Sequence, residues 1–210
     1  MMISPVFFVF SLILSSSYAA VQDFCVADYA APQGPAGYSC KDPANVTVDD
    51  FVFSGLGVVG NISGINKLGV SFAFVSSFPS LNGLGVAMLR ADLAVGGVVP
   101  MHSHRGASEL VILVEGRVVA GFIDSNNKPY VKTLNKGDII VFPRGLLHFL
   151  VNVGNTPALG YASFNSENPG FQILETALFQ NDLPTDIIAK STLLDRLQIK
   201  KLKHLLGGTN

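Results

Sequence analysis

The sequence predicts an all-β fold, an antiparallel barrel or sandwich closed by C-terminal helices, on three observations. Short apolar runs recur at roughly 8 to 12 residue spacing, each bounded by Gly, Pro, Asn, Asp or Lys-Gly. No stretch between Gly85 and Phe164 has the length and period of a crossover helix, which argues against a parallel α/β sheet. Gly numbers 21 and Phe 15 in 210 residues, with abundant Val, a composition of tight turns and pleated strands.

Residues 1–19 read as an address rather than as structure. Met1 to Ala20 carry no charged side chain and Ile3 to Leu14 are almost wholly apolar. Ser17-Tyr18-Ala19 places small residues at the −3 and −1 positions for cleavage after Ala19, the outline of a secretory signal peptide, although the usual n-region Lys or Arg is missing. A membrane anchor needs about 20 apolar residues; this run is about 12 long and breaks at Ser11 and at Ser15-Ser16-Ser17. No later segment is long and apolar enough to span a bilayer, so the expected product is secreted.

Secretion sets the reading of Cys25 and Cys40, the two cysteines of the chain. In an oxidising compartment they are expected to form a disulfide closing a loop of about 15 residues, worth roughly 3 kcal/mol. Paired thiolate metal ligands usually sit only about two to four residues apart. Asn45-Val46-Thr47 and Asn61-Ile62-Ser63 are acceptor sequons, which makes Asn45 and Asn61 N-glycosylation candidates.

Past the Gly- and Pro-rich opening from Ala31 to Gly37, the expected strands are Val70–Val75, Gly85–Leu93, Leu110–Glu115, Arg117–Asp124, Tyr130–Leu134, Asp138–Phe142, Phe149–Asn152 and Leu159–Phe164. From Asp186 to Leu206 the apolar positions recur at helical spacing instead. Lys200, Lys201, Lys203 and His204 gather at that end, where they read as a solvated helix terminus, and Gly207-Gly208 stops the run. A break near Ser191-Thr192, which could cap a second helix, divides this tail in two. A single domain over residues 20–210 is expected, with the barrel at about 46–180 and the helical tail at about 184–206.

Lys plus Arg is 14 and Asp plus Glu 15, and only 14% of residues are charged against 49% hydrophobic. The balance gives no electrostatic footprint for nucleic acid and excludes disorder; the low charge points to apolar surface buried between subunits.

Three of the four His fall in two compact stretches. The first runs from Gly96 through His102, His104 and Glu109 to Gly116. On a strand His102 and His104 share a face, while Glu109 has the opposite parity and joins them only if the chain turns or bulges at Arg105-Gly106. The second runs from Gly137 through Pro143-Arg144-Gly145, a turn, to His148 at the start of another strand and Asn152. Three imidazoles and one carboxylate converging inside a barrel make a mononuclear metal site suited to Mn, Fe, Co, Ni, Cu or Zn. With open positions such a centre binds substrate; closed and four-coordinate it would be structural, with zinc the natural ion.

The two stretches resemble the first and second cupin motifs, matched at Gly96, His102, His104, Glu109 and Gly116 and at Gly137, Pro143, Gly145, His148 and Asn152. Gln22-Asp23-Phe24-Cys25-Val26-Ala27-Asp28 and Lys136-Gly137-Asp138 are similar to the short boxes of plant germins and germin-like proteins, and the likeness runs the whole chain. Pro35 to Cys40, Phe78-Pro79 through Gly85, and Asn181 to Asp186 look closest to the germin-like auxin-binding proteins.

That resemblance implies a cupin jelly-roll β-barrel whose C-terminal helices clasp neighbours into a trimer or hexamer in the cell wall or apoplast. It implies manganese on His102, His104, Glu109 and His148, with zinc or iron as alternatives, and superoxide dismutase activity. Oxalate oxidases of the family carry two asparagines near the metal, where this chain has Leu89 and Val99. Apolar side chains there cannot hydrogen-bond a dianion, at a cost of roughly 1–3 kcal/mol per lost buried contact, which argues against that activity. No residue selects for the nucleotide-sugar phosphodiesterase activity also found in the family. The alternative is a non-enzymatic binding protein for auxin or another small aromatic acid. Its carboxylate would sit on the metal and its ring among Leu89, Val99, Met101, Phe142 and Leu147, residues that equally serve as ordinary barrel filling.

Overall fold

The computed structural model describes residues 22–34 and 37–210; the signal-peptide reading of residues 1–19 lies outside them. Two five-stranded antiparallel sheets face each other. The first is ordered β1 (Leu68–Ala73), β2 (Ala87–Leu93), β9 (Ala158–Phe164), β4 (Glu109–Glu115), β7 (Ile139–Phe142). The second is ordered β10 (Gln172–Ile173), β3 (Val98–Ser103), β8 (Leu147–Asn152), β5 (Arg117–Ile123), β6 (Pro129–Asn135). The non-sequential neighbours β2–β9–β4 and β3–β8–β5 are the connections of a jelly roll. Burial alternates along β8 and β9, as it must when one face of each strand fills the space between sheets.

Each of the expected strands exists, most of them shifted by a residue or two. The structure adds β3 and β10. Pro100 breaks the apolar pattern of β3, and the chain absorbs it as a bulge: Val99 pairs with Leu150 and His102 with His148, so three steps on one strand oppose two on the other. The bulge also restores parity, turning Val99 and His102 to the same interior.

Three helices follow, α1 (Leu174–Phe179), α2 (Thr185–Thr192) and α3 (Arg196–Leu206), packed on Phe179, Ile188 and Ile199. The break between α2 and α3 is made by Leu193, at φ 62°, and the cap of α3 is Asp195, which accepts from the Leu197 and Gln198 amides. Ser191 and Thr192 are not its cap: their hydroxyls donate back to the Ile187 and Ile188 carbonyls of α2, and Thr192 Oγ1 accepts from the Leu194 amide in the link between the helices. Nor is the basic cluster wholly solvated: Lys203 is buried and its Nζ donates to the Asn181 and Thr209 carbonyls, fastening the chain end to the helices. No helix among the described residues is long and apolar enough to cross a membrane.

Cys25 and Cys40 form a disulfide beside an isolated bridge between Ala27 and Cys40. From there the chain crosses the outer face of the first sheet as a strap containing the 3-10 turns Val48–Phe51 and Gly55–Gly57. Arg90 and Asp92, adjacent outward positions on β2, pin the strap. The guanidinium bonds Asp92 through two nitrogens at 2.8 Å and the Leu56 carbonyl at 3.2 Å, while Asp92 accepts from the Gly60 amide at 3.0 Å. Gly60 passes so near Gly69 that a Cβ on either would collide with the other's backbone. Both sequons are exposed, and Asn61 Oδ1 accepts from the Ser63 amide and hydroxyl. The rest of the first sheet's outer face is apolar, with Met88, Leu110, Ile112, Ile139 and Val141 exposed and a groove of about 790 Å³ against the strap.

Candidate metal centre

His102 lies on β3, His104 just beyond its end, Glu109 at the start of β4 and His148 on β8. The chain turns between His104 and Glu109, crossing from the second sheet to the first, which resolves their opposite parity. The turn is held by the Gly106 amide donating to Pro169 and the Gly145 amide donating to the His104 carbonyl; the second of these bonds joins the two motif stretches. Gly145 sits at φ 76°, a conformation that favours glycine in the turn before His148.

One donor atom from each of the four residues lies within 4.8 Å of the others, and all four side chains are buried. Each imidazole has its Nδ1 on a backbone carbonyl: His102 on Pro100 and His148 on Leu146, both at 2.8 Å, and His104 on Gly170. A carbonyl only accepts, so Nδ1 carries the proton and Nε2 presents its lone pair inward. Nε2 of His148 then faces Glu109 Oε2 at 2.9 Å, and Nε2 of His104 stands 3.3 Å from the same oxygen without hydrogen-bond geometry, a buried nitrogen with no partner. Lone pairs brought this close call for a shared cation, a proton or a metal ion, and two nitrogens with a carboxylate oxygen suit a divalent first-row metal. The residues therefore fit a metal ion. Asn152, the last position of the second motif, has a different task. It is buried and donates to the Leu93, Ala94 and Thr156 carbonyls, tying loops together.

Burial, and after it the neighbouring His148, push the His102 imidazole down from 6.5 to about 4. Burial pushes the Glu109 carboxyl up, but in metal-free protein His104 and His148 carry on Nε2 the proton that a metal would displace, and as donors to the carboxylate they outweigh burial and hold it at about 2 rather than 4.5. Both folded values are depressed, so both groups stabilise the fold at higher pH. For protein freed of metal with a chelator, thermal denaturation should give a flat Tm above about pH 6.5. The Tm should fall from there to about pH 4 as the unfolded chain binds the proton that His102 refuses, and fall again between about 4.5 and 2 through Glu109. A His102→Gln variant should lose the first of these two slopes; if its profile retains that slope unchanged, His102 is not its source.

Of the pocket residues expected from sequence, Leu89 and Val99 line the interior cavity with His102 and Glu109. Phe142 is buried and stacks on His148, centroids 4.4 Å apart at 19°, filling the barrel rather than lining the cavity. Met101 and Leu147 are corrected: each neighbours a ligand on its strand, so alternation turns it to the outer face of the second sheet, away from the site. Sequence reasoning missed Phe171, whose ring lies 4.7 Å from that of His102 and 5.5 Å from that of His104. No spacing rule reaches it, since it arrives on the loop after β9.

The profile of the cupin family matches residues 56–200. An auxin-binding protein of peach (Prunus persica) is 65% identical over 100% of this chain and 98% of its own. A germin-like protein of subfamily 3 from Arabidopsis thaliana is 54% identical over 100% of this chain and 99% of its own. Among solved structures, an oxalate oxidase superposes with a TM-score of 0.86 at 36% identity, over 90% of this chain and 98% of that one.

Proposed function

The chain belongs to the cupin family and, within it, to the germin-like proteins, and from that premise we propose that it is a secreted manganese protein of the cell wall or apoplast with superoxide dismutase activity. The observation that carries this reading is the size of the interior cavity beside His102 and Glu109, about 40 Å³. On the same measure one water needs about 10–15 Å³, and a cavity that binds benzene measures about 150 Å³. The room suits water or a dioxygen-sized anion.

A manganese ion held by His102, His104, Glu109 and His148 would supply two oxidation states for taking an electron from one superoxide and returning it to the next. The side chains hold its ligand geometry through their Nδ1 tethers and keep Glu109 ionised. Dismutation also consumes one proton for each superoxide. None of the four residues has one to give near neutral pH, since the Nδ1 protons are committed to carbonyls and Glu109 is ionised. Water entering the cavity is left as the source.

Leu89 and Val99 beside the donors support a reaction other than oxalate oxidation: a dianion would lose its hydrogen-bonding partners there, and a shared fold does not carry a reaction with it. The second reading, non-enzymatic binding of auxin or another aromatic acid with its carboxylate on the metal, is favoured by the name of the peach relative. It needs several times the space beside the donors. Assembly into a trimer or hexamer is supported by the apolar outer face of the first sheet and by Leu193 and Leu197, exposed on the helical tail.

Metal analysis and electron paramagnetic resonance on the secreted protein, followed by superoxide and oxalate assays, test the reading. About one manganese per chain, dismutation and negligible oxalate turnover are expected; zinc alone in the site would end the dismutase proposal.

A further inference from the structure

We propose that Phe171 is the gate of the metal site and sets the size of anion that reaches it. Among the side chains lining the interior cavity only Phe72, on edge strand β1, and Phe171, immediately before edge strand β10, are exposed, at 39% and 43%. The cavity therefore opens toward solvent between the two sheet edges, and Phe171 is the lip that touches the ligands. His102, His104, Glu109 and His148 are each at most 5% exposed, and Phe171 is the exposed lining residue whose ring lies against two of them.

The ring is held in place from behind. Gly170, at φ 70°, gives its carbonyl to His104, and Ile173, two residues on, pairs with His102. The neighbouring Pro169 carbonyl accepts from Gly106 in the turn that joins His104 to Glu109. A segment fastened on both sides of one exposed aromatic ring leaves side-chain rotation as the movement that widens the opening, a small motion that admits anions of two or three atoms. An aromatic carboxylate would need the ring displaced. Phe171 thus decides between the two ligand classes considered for this site, and the inference rests on that site holding a metal.

The test uses full-length protein loaded with manganese(II), as wild type, Phe171→Leu and Phe171→Ala. Transfer of the ion to excess EDTA is timed, and the resonance spectrum is recorded with azide and with benzoate. All three proteins should hold the same amount of metal, with release at least about tenfold faster in Phe171→Ala and intermediate in Phe171→Leu, which keeps an apolar side chain over the histidines. Azide should perturb the spectrum of every protein, and benzoate only that of Phe171→Ala. Equal release rates in all three proteins overturn the gate whatever the anions do, as does a benzoate response in wild type equal to that of azide. Absence of dismutase activity with these differences intact would count against the proposed function and not against the gate.

Discussion

Replacing His148 with alanine is expected to strip the metal from the protein, lowering its affinity by at least about a hundredfold, since loss of even an outer-sphere partner costs about 10- to 100-fold. His148 is packed on every side: its Nε2 meets Glu109, its ring stacks on Phe142 and its centroid lies 4.0 Å from that of His102. Its removal leaves Glu109 with His104 as its remaining imidazole neighbour. Burial then weighs more heavily, and the carboxyl should take up a proton at higher pH than in the native site. Metal content of the purified variant and its dismutase activity should fall together. His204→Ala is the control, because the fourth histidine is exposed on α3, away from the barrel interior, and both quantities should stay at their native values. A His148→Ala protein that retains a full complement of tightly held metal would show that three donors suffice and that the site has been misassigned.

The largest expected loss of stability lies elsewhere, at Asp92. Changing it to asparagine keeps its shape but leaves the Arg90 guanidinium under the strap with no counter-charge. Breaking a buried pair from one side costs about 3 kcal/mol or more, a Tm lower by roughly 6–12 °C in a domain of this size. The Leu56 and Gly60 contacts that hold the strap to β2 depend on the same pair. The double variant Arg90→Met/Asp92→Leu removes both charges and should recover much of the loss. If the single variant melts as the native protein does, the strap is held by its apolar contacts and not by the ion pair.

The ligands were legible because two motifs spell them out at fixed spacing, and the turn at Arg105-Gly106 was demanded by the parity of Glu109. Strand β3 was less legible although it carries His102, because Pro100 interrupts the apolar run and only the pairing with β8 reveals a bulge. Helix α1 is six residues long, too short for a helical period to emerge from Leu174-Glu175-Thr176-Ala177-Leu178-Phe179. Met101 and Leu147 were placed in the pocket for being apolar and near a ligand in sequence, but on a strand the immediate neighbour is the residue that points away. Phe171 was invisible for the converse reason: it is 67 residues from His104 along the chain and within 5.5 Å of it in space.

His102 and His148 come from one sheet, His104 from the turn leaving it and Glu109 from the other sheet. An ion shared among them is a rivet through the two leaves of the sandwich, and separating the leaves means extracting it. The loaded protein should then come apart no faster than the ion leaves, so its persistence outside the cell becomes a matter of coordination kinetics as much as of packing.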